Sequence, residues 1–436
     1  MEHHGQNPRQ NVIAVIPARY SSVRLPGKLL LPVAGKPLIL HALERASQAS
    51  TISRVIVATD DDRIFNAVTD AGGEAVVTSP TYASGTDRVA EIARSLPENT
   101  IIVNVQGDEP VISPETIDRA VTALVEADEA DMSTTWEPID GLWELLDGNN
   151  VKVVVGDDGF ALHFSRSPMP WPREASLRHG GDPNKAIENE PELLQNYKKH
   201  TGVYVYRRDF LLKFTQLGQT WLERYEMLEQ LRALENGARI KVVEAAGRSI
   251  GVDTQDDYER VRDIIEAGID IRPVKRSDLP RVAAVHVESW QKSFAGIAPN
   301  DFLNSMSIEK RLKAYSERQC GGDYLMFVAE HPTDGIVGFA DFGTPTLAGD
   351  FDAQIFSFYF LPEYQRRGLG SRLFRRAVSR ISRAGKRSLC LDALEASPYR
   401  TFYEKMGGNV VARDGHKLGD KDFATVIYGW EDITAI

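Results

Sequence analysis

Three cations crowd one short stretch of the chain, Arg19, Arg24 and Lys28, in the run Ala18-Arg19-Tyr20-Ser21-Ser22-Val23-Arg24-Leu25-Pro26-Gly27-Lys28. They follow directly on Val12-Ile13-Ala14-Val15-Ile16, an apolar run that reads as a buried strand. A loop at the carboxyl end of such a strand lies where open α/β sheets bind ligands. Cationic side chains converging there with loop N–H groups suit a polyphosphate. The loop is not a Walker A loop, because G-x-x-x-x-G-K-[ST] is absent. Taken alone, the run also fits a basic surface turn. Carboxylates come next. The apolar run 101–105 ends in Gln106-Gly107-Asp108-Glu109-Pro110, and Asp253 stands in Gly251-Val252-Asp253-Thr254. Carboxylate oxygens suit Mg²⁺, which keeps several waters. Two distant carboxylates meeting one metal-triphosphate would make a site for in-line phosphoryl chemistry. Residue type alone leaves Asp108 open as a turn residue and Asp253 as one that merely precedes a helix.

A second constellation lies far downstream. The strand-like run 355–361 leads into Pro362-Glu363-Tyr364-Gln365-Arg366-Arg367-Gly368-Leu369-Gly370, and a helical pattern follows over 371–384. A strand, a Gly-rich turn and a helix N-terminus in that order present N–H groups that can receive a pyrophosphate.

The elements that must position these residues alternate between strand-like and helix-like. Strand patterns fall at 12–16, 54–59, 75–77, 101–106, 151–155, 161–164, 202–206 and 240–245. Helical patterns lie between them, as at 37–49, 61–71 and 87–95. This alternation predicts an α/β domain with a mostly parallel sheet and helices on both faces. The charged, breaker-rich segment 172–199 reads as a long mobile loop or insert. A helix over 256–267 closes at Gly268, and a new strand pattern begins at Ile271, so a boundary is expected there. The expected organisation is a flexible tail over 1–10, one domain over 11–268 and a second over 271–436. A chain of 436 residues calls for more than one core.

Composition excludes several classes. The net charge of −11 argues against a general nucleic-acid surface, so an anionic substrate needs a local basic pocket. The two cysteines, Cys320 and Cys390, build neither a disulfide framework nor a zinc-site spacing, and a reducing cytoplasm fits. No signal peptide or membrane-spanning run is expected from the sequence.

Residues 11–265 resemble the 3-deoxy-manno-octulosonate (KDO) cytidylyltransferases. The segments that carry the resemblance are IPARYSSVRLPGK, AGKPLILH, VIVATDD, AGGEAVVT, SGTDRVAE, VNVQGDEP, FSRSPMPW, HTGVYVYRR, YEMLEQLRALENG and GVDTQDDYERVR, in family order. The resemblance implies a nucleotide-diphospho-sugar transferase-like fold and a homodimeric assembly. It implies transfer of CMP from CTP to a KDO-type 2-keto sugar acid with release of pyrophosphate, a step of lipopolysaccharide precursor activation. By matching position, Arg19 and Lys28 would neutralise the triphosphate with Arg24 assisting, and Asp108 and Asp253 would bind Mg²⁺. Ser84, Gly85, Thr86 and Gln106 would seat the nucleotide. Arg166, His200, Tyr204, Glu226 and Gln230 would line the sugar pocket. By residue type alone these last fit blander roles: His200 a loop histidine, Tyr204 a strand core residue, Glu226 and Gln230 one solvated helix face beside an apolar stripe of Met227, Leu231 and Leu234. Sialic acid cytidylyltransferases share the opening motif, and KDO is not separated here from an amino-bearing analogue.

Residues 271–430 resemble the GNAT superfamily of N-acetyltransferases. The resemblance rests on Val285-His286-Val287-Glu288-Ser289-Trp290, the strand pattern 326–329, the loop through Gly370 and Tyr399-Arg400-Thr401-Phe402-Tyr403-Glu404-Lys405-Met406-Gly407-Gly408. It implies that Gln365, Arg366, Arg367, Gly368, Leu369 and Gly370 bind acetyl-CoA, and that Tyr403 is a general acid for the departing thiolate. Ser397 stands where Asn is frequent, and Gly408 where Phe is usual. Glu288, Glu330 and Asp352 are equal candidates for a base. The expectation is a bifunctional enzyme whose second domain acetylates an amine such as an amino sugar. The rival is a second domain that only senses coenzyme A, or one that only mediates dimerisation.

Overall fold

The computed structural model describes residues 11–82, 84–318, 324–347, 349–434 and 436, so the expected tail over 1–10 and Cys320 lie outside the described residues. Two compact units emerge, Met1–Val261 and Arg262–Ile436.

The first unit is built on a nine-stranded sheet. Its strands are β1 (Val12–Ala18), β2 (Arg54–Thr59), β3 (Glu74–Val77), β4 (Ile101–Asn104), β5 (Met132–Pro138), β6 (Lys152–Val155), β7 (Ala161–Ser165), β8 (Lys198–Arg207) and β9 (Ile240–Glu244). The main order is β9-β5-β8-β4-β1-β2-β3. The run β4-β1-β2-β3 is parallel, as is β9 with β5. Strand β8 enters antiparallel between β4 and β5, and β6 and β7 form an antiparallel ribbon beside it. The central strand β1 shows why the parallel part forms. Val12, Ala14, Ile16 and Ala18 join one apolar cluster, and Ile13 and Val15 join another. A strand buried on both faces needs helices on both. Leu38–Ser47 and Pro114–Glu126 supply Ile39 and Ile117 to one cluster, while Gly85–Arg94 supplies Val89 to the other.

The segment 172–199 is folded, contrary to expectation. It holds the helices Arg173–Arg178 and Pro183–Asn189 and the 3₁₀ turn Pro191–Asn196. Its breakers act as caps. Asp182 accepts from the N–H groups of Asn184 and Lys185, and Pro183 starts the helix where no N–H is needed. Ile187 and Tyr197 anchor the segment on Ile139 and Leu145.

The second unit holds a seven-stranded sheet of β10 (Asp270–Pro273), β11 (Leu325–His331), β12 (Gly335–Gly343), β13 (Ala353–Phe360), β14 (Leu389–Leu394), β15 (Asn409–Leu418) and β16 (Lys421–Trp430), in the order β10-β11-β12-β13-β14-β16-β15. All neighbours are antiparallel except β13 and β14. That parallel pair touches at only two positions, Ala353 with Leu389 and Gln354 with Cys390. Beyond them the two strands run on unpaired with each other, which leaves a cleft in the sheet.

Candidate active sites

In the first unit the cationic loop and both expected metal-binding carboxylates meet. Lys28 Nζ lies 2.5 Å from Asp108 Oδ2 and 2.9 Å from Asp253 Oδ1. Arg24 Nη2 lies 2.9 Å from Asp253 Oδ2. Local structure explains each placement. Gly27 at φ 65° turns the chain into the short turn Lys28–Leu30. Asp108 follows β4, where a Cβ on Gly107 would stand 2.9 Å from Ile39 Cδ1, so only glycine lets the loop pass. The loop before Gln255–Ala267 is tied to it by Val252 N–H donating to the Asp108 carbonyl at 2.8 Å. Asp257 accepts from the N–H groups of Asp253 and Thr254, so the Asp253 carboxylate is turned to Lys28 and Arg24 instead. Burial opposes the Lys28 ammonium, but Asp108 and Asp253 outweigh it and hold its pKa above the ordinary value. Arg19 stands exposed one residue past β1.

Ser84, Gly85 and Thr86 form the start of a helix. Ser84 and Asp87 make a reciprocal capping box, and Thr86 Oγ1 donates to Glu229 Oε2 at 2.7 Å. Gln106 Nε2 donates to the Gly202 carbonyl at 3.2 Å.

Beside these lies a cavity of about 340 Å³, lined by His200, Tyr204 and Gln230 among others. A bulge in β8 between His200 and Tyr204 shifts their register against β5. Burial lowers His200 to about 3, so its imidazole is neutral at neutral pH; Nε2 pairs with Thr134 Oγ1 at 2.9 Å. Arg166 and Glu226 are absent from the lining and bond to each other's segments. Glu226 accepts from Ser165 Oγ at 2.6 Å and the Arg166 N–H at 3.0 Å, and the Arg166 guanidinium donates to the carbonyls of Glu226 and Gly148. Glu226 and Gln230 do not share a helix face. The helix Trp221–Glu226 stops at Met227, which adopts φ 53°, and a new helix starts at Glu229. Met227 is thereby exposed and leaves the apolar stripe, while Leu231 stays buried.

Among the lining residues that escaped the sequence reading are Glu109, Lys199, Glu229 and Ser249. Glu109 and Glu229 each adjoin a chosen residue and Lys199 precedes His200, so adjacency was the available signal. Burial pushes Glu109 up to about 7, against a 2.7 Å bond from Ser249 Oγ. Lys199 Nζ sits 3.0 Å from Glu137 and 2.9 Å from Glu144, and these carboxylates raise its pKa despite burial.

In the second unit, Gln365 Nε2 donates to the Phe360 carbonyl at 2.9 Å and folds the loop back on β13. Arg366 at φ 58° and Gly368 at φ 80° shape the turn, and Leu369 plugs the core as Leu369–Arg383 begins. Arg366, Arg367 and Gly368 face solvent. Gly370 leaves room for the Phe402 ring, 3.4 Å from where a Cβ would stand. Tyr403, on Thr401–Lys405, lies edge-on to Phe358 of β13 at 6.4 Å. Burial raises its pKa and keeps the phenol protonated. The three candidate bases are engaged elsewhere: Glu288 with Lys292, Glu330 with Arg272, and Asp352 with the N–H groups of Arg387 and Ser388.

Among the described residues no helix is long and apolar enough to cross a membrane. A cytidylyltransferase family pattern matches residues 13–240, and an acetyltransferase (GNAT) domain pattern matches residues 322–407. The 3-deoxy-manno-octulosonate cytidylyltransferase of Pelobacter propionicus is 49% identical over 261 residues, 59% of this chain and 98% of its own length. That of Geobacter sulfurreducens is 49% identical over 251 residues, 58% of this chain and 98% of its own length. A solved CMP:2-keto-3-deoxy-manno-octonic acid synthetase complexed with CTP is 39% identical, with a TM-score of 0.53 over 59% of this chain and 99% of that one. The chain belongs to the 3-deoxy-manno-octulosonate cytidylyltransferase family, and beyond the aligned region it carries a GNAT acetyltransferase domain.

Proposed function

We propose that the first unit transfers CMP from CTP to KDO or a close analogue, releasing pyrophosphate, and that the second transfers acetyl from acetyl-CoA to an amine. The observation that carries the first half is the meeting of Arg24 and Lys28 with Asp108 and Asp253, from segments 80 and 225 residues from Lys28. The donor set fits a hard divalent cation: two carboxylates from separate loops converge on one ammonium, and the two charges of a divalent cation would match theirs. Asp108 and Asp253 are the residues that would hold Mg²⁺. When bound, that ion neutralises charge on the triphosphate. Lys28 and Arg24 would turn to the phosphates, with Arg19 reaching them from the end of β1. The Ser84–Thr86 helix start and Gln106 would seat the nucleotide. The sugar acid would occupy the cavity walled by His200, Tyr204 and Gln230, with Arg166 and Glu226 bracing its rim. Catalysis would then rest on positioning and charge neutralisation.

In the second unit the loop 365–370 would take the coenzyme A pyrophosphate on its N–H groups, and the thioester would enter the cleft between β13 and β14. Tyr403 would donate its hydroxyl proton toward the leaving sulfur. Its raised pKa makes full transfer to a thiolate uphill, so the phenol would act as a hydrogen-bond donor as the C–S bond breaks. The test is pyrophosphate release from CTP and Mg²⁺ with KDO, an amino analogue of KDO and N-acetylneuraminate. Release with KDO or its amino analogue is expected; release with N-acetylneuraminate alone would overturn the sugar assignment.

A further inference from the structure

The cleft of the second unit lacks a base among the residues first considered, and Asp392 is a further carboxylate beside it. Asp392 lies on β14, two residues past the last pairing of that strand with β13. It therefore stands where the two strands have parted. Side chains alternate along a strand, so Asp392 shares a face with Leu394. That face meets an aromatic cluster in which Leu394 packs with Trp290, Phe294, Phe302 and Tyr359. Asp392 is open to solvent, and no side chain donates a hydrogen bond to it among the described residues. Crowding by the protein still raises its carboxyl pKa, with the Asp414 charge adding to the rise and His416 of the same strand, β15, opposing it. The Asp392 charge also acts on Tyr403, on the helix Thr401–Lys405, and on Tyr359, on β13.

We propose that Asp392 is the catalytic base of acyl transfer and that the acceptor is a primary ammonium with a compact, C–H-rich body. This rests on the reading of the second unit as an acetyltransferase. The acceptor R–NH₃⁺ gives one proton to the Asp392 carboxylate. The freed nitrogen lone pair attacks the thioester carbon of acetyl-CoA, so that a C–N bond forms and the C–S bond breaks. The nitrogen loses its second proton to water, the thiolate, hydrogen-bonded by the Tyr403 phenol as it departs, takes one proton from water to become the thiol, and Asp392 returns its proton to water. The aromatic cluster beside Leu394 would receive the body of the acceptor, since C–H faces pack on rings.

The experiment measures thiol release from acetyl-CoA by the full-length protein and its Asp392→Asn variant, with a primary-amine panel that includes glucosamine and 1,4-diaminobutane. Titration calorimetry with acetyl-CoA runs alongside. The variant should bind acetyl-CoA as the parent does, while kcat/KM at pH 7 falls about 10²- to 10³-fold. The deficit should shrink toward about pH 10, where amines deprotonate unaided. A variant within about threefold of the parent, or a deficit that does not change with pH, overturns the assignment. So does acetyl-CoA binding without thiol release for any amine. Failure of the parent protein to bind acetyl-CoA would instead remove the acetyltransferase reading itself, and the base with it.

Discussion

The two sites are assembled by opposite means. In the first unit, charged side chains from distant segments grip one another: Lys28 holds Asp108 and Asp253, and Lys199 holds Glu137 and Glu144. In the second, the site is a gap. Strands β13 and β14 part after two paired positions, and a turn bent at Arg366 and Gly368 leads into a helix. A site of ion pairs is made of residue types and should fail when one charge is removed. A site made of a gap depends on what stays out of it, and should fail when a side chain is put in.

The largest effect should come from the first kind. Asp108→Asn keeps the shape of the side chain and removes half of the charge that faces Lys28. The expected loss in kcat for pyrophosphate release is about 10³-fold, roughly 4 kcal/mol, measured at saturating CTP and Mg²⁺. A loss below about tenfold would mean that Asp108 only shapes the turn.

The second kind should break by filling. Gly408 stands where relatives by resemblance carry Phe, and the structure gives a reason for the departure. A Cβ there would lie 2.5 Å from Trp430 Cζ2, and the indole is held by its Nε1–H to the Met406 carbonyl at 2.9 Å. Gly408→Phe should therefore destabilise by about 3 kcal/mol, read by chemical denaturation. Trp430 takes the room that Phe would fill, so Gly408→Phe with Trp430→Ala should recover part of the loss.

This contrast also explains what was legible in advance. The parallel strands were readable because β1 is apolar on both faces, and the cations and carboxylates because their types are diagnostic next to strand ends. Pairing between residues 28, 108 and 253 shows up as motif order, not as distance. What escaped was conformational. Glu226 and Gln230 have helical spacing, and only the left-handed φ of Met227 separates them into two helices. The capped helices of 173–189 read as loop because Pro183, Gly180 and Gly181 break local patterns while serving as starts and stops. Asp392 escaped because its meaning lies in where β14 loses its partner, which no residue type announces.

In each unit a histidine has its pKa lowered by its surroundings, and here the comparison narrows. His200 borders the cavity and His286 sits in the core with Nδ1 2.6 Å from Tyr315 Oη. Burial lowers both to about 3 from an ordinary 6.5. An unfolded chain binds protons at these sites below pH 6.5, and the folded chain does not until about pH 3. The stability of the neutral rings is thus complete above pH 6.5 and lost as pH falls toward 3. Each contributes a slope of up to about 1.4 kcal/mol per pH unit in that window. His200→Asn and His286→Asn should both flatten the acid limb of a stability–pH curve. Only His200→Asn should also raise KM for the sugar; an equal KM change in both variants would remove His200 from the pocket.

The smallest effect is expected where both sites use the same device. Met227 beside the cavity and Arg366 in the loop proposed to take coenzyme A are non-glycine residues at φ 53° and φ 58°. A left-handed conformation strains an L residue by about 1 kcal/mol, and such strain persists where the surroundings fix it. Glycine removes the strain but frees the unfolded backbone, so the two terms nearly cancel. Met227→Gly and Arg366→Gly should each move stability by no more than about 1 kcal/mol. Their ligand effects should diverge. Arg366→Gly removes a cation from the loop proposed to receive the pyrophosphate, so acetyl-CoA binding should weaken about fivefold to tenfold and lose part of its salt dependence. Met227→Gly removes an uncharged wall, so KM for the sugar should shift by less than about threefold with no salt term. Equal salt dependence in the parent and the Arg366→Gly variant would show that the loop holds phosphate through its backbone N–H groups alone, which would make the second site wholly a matter of chain geometry.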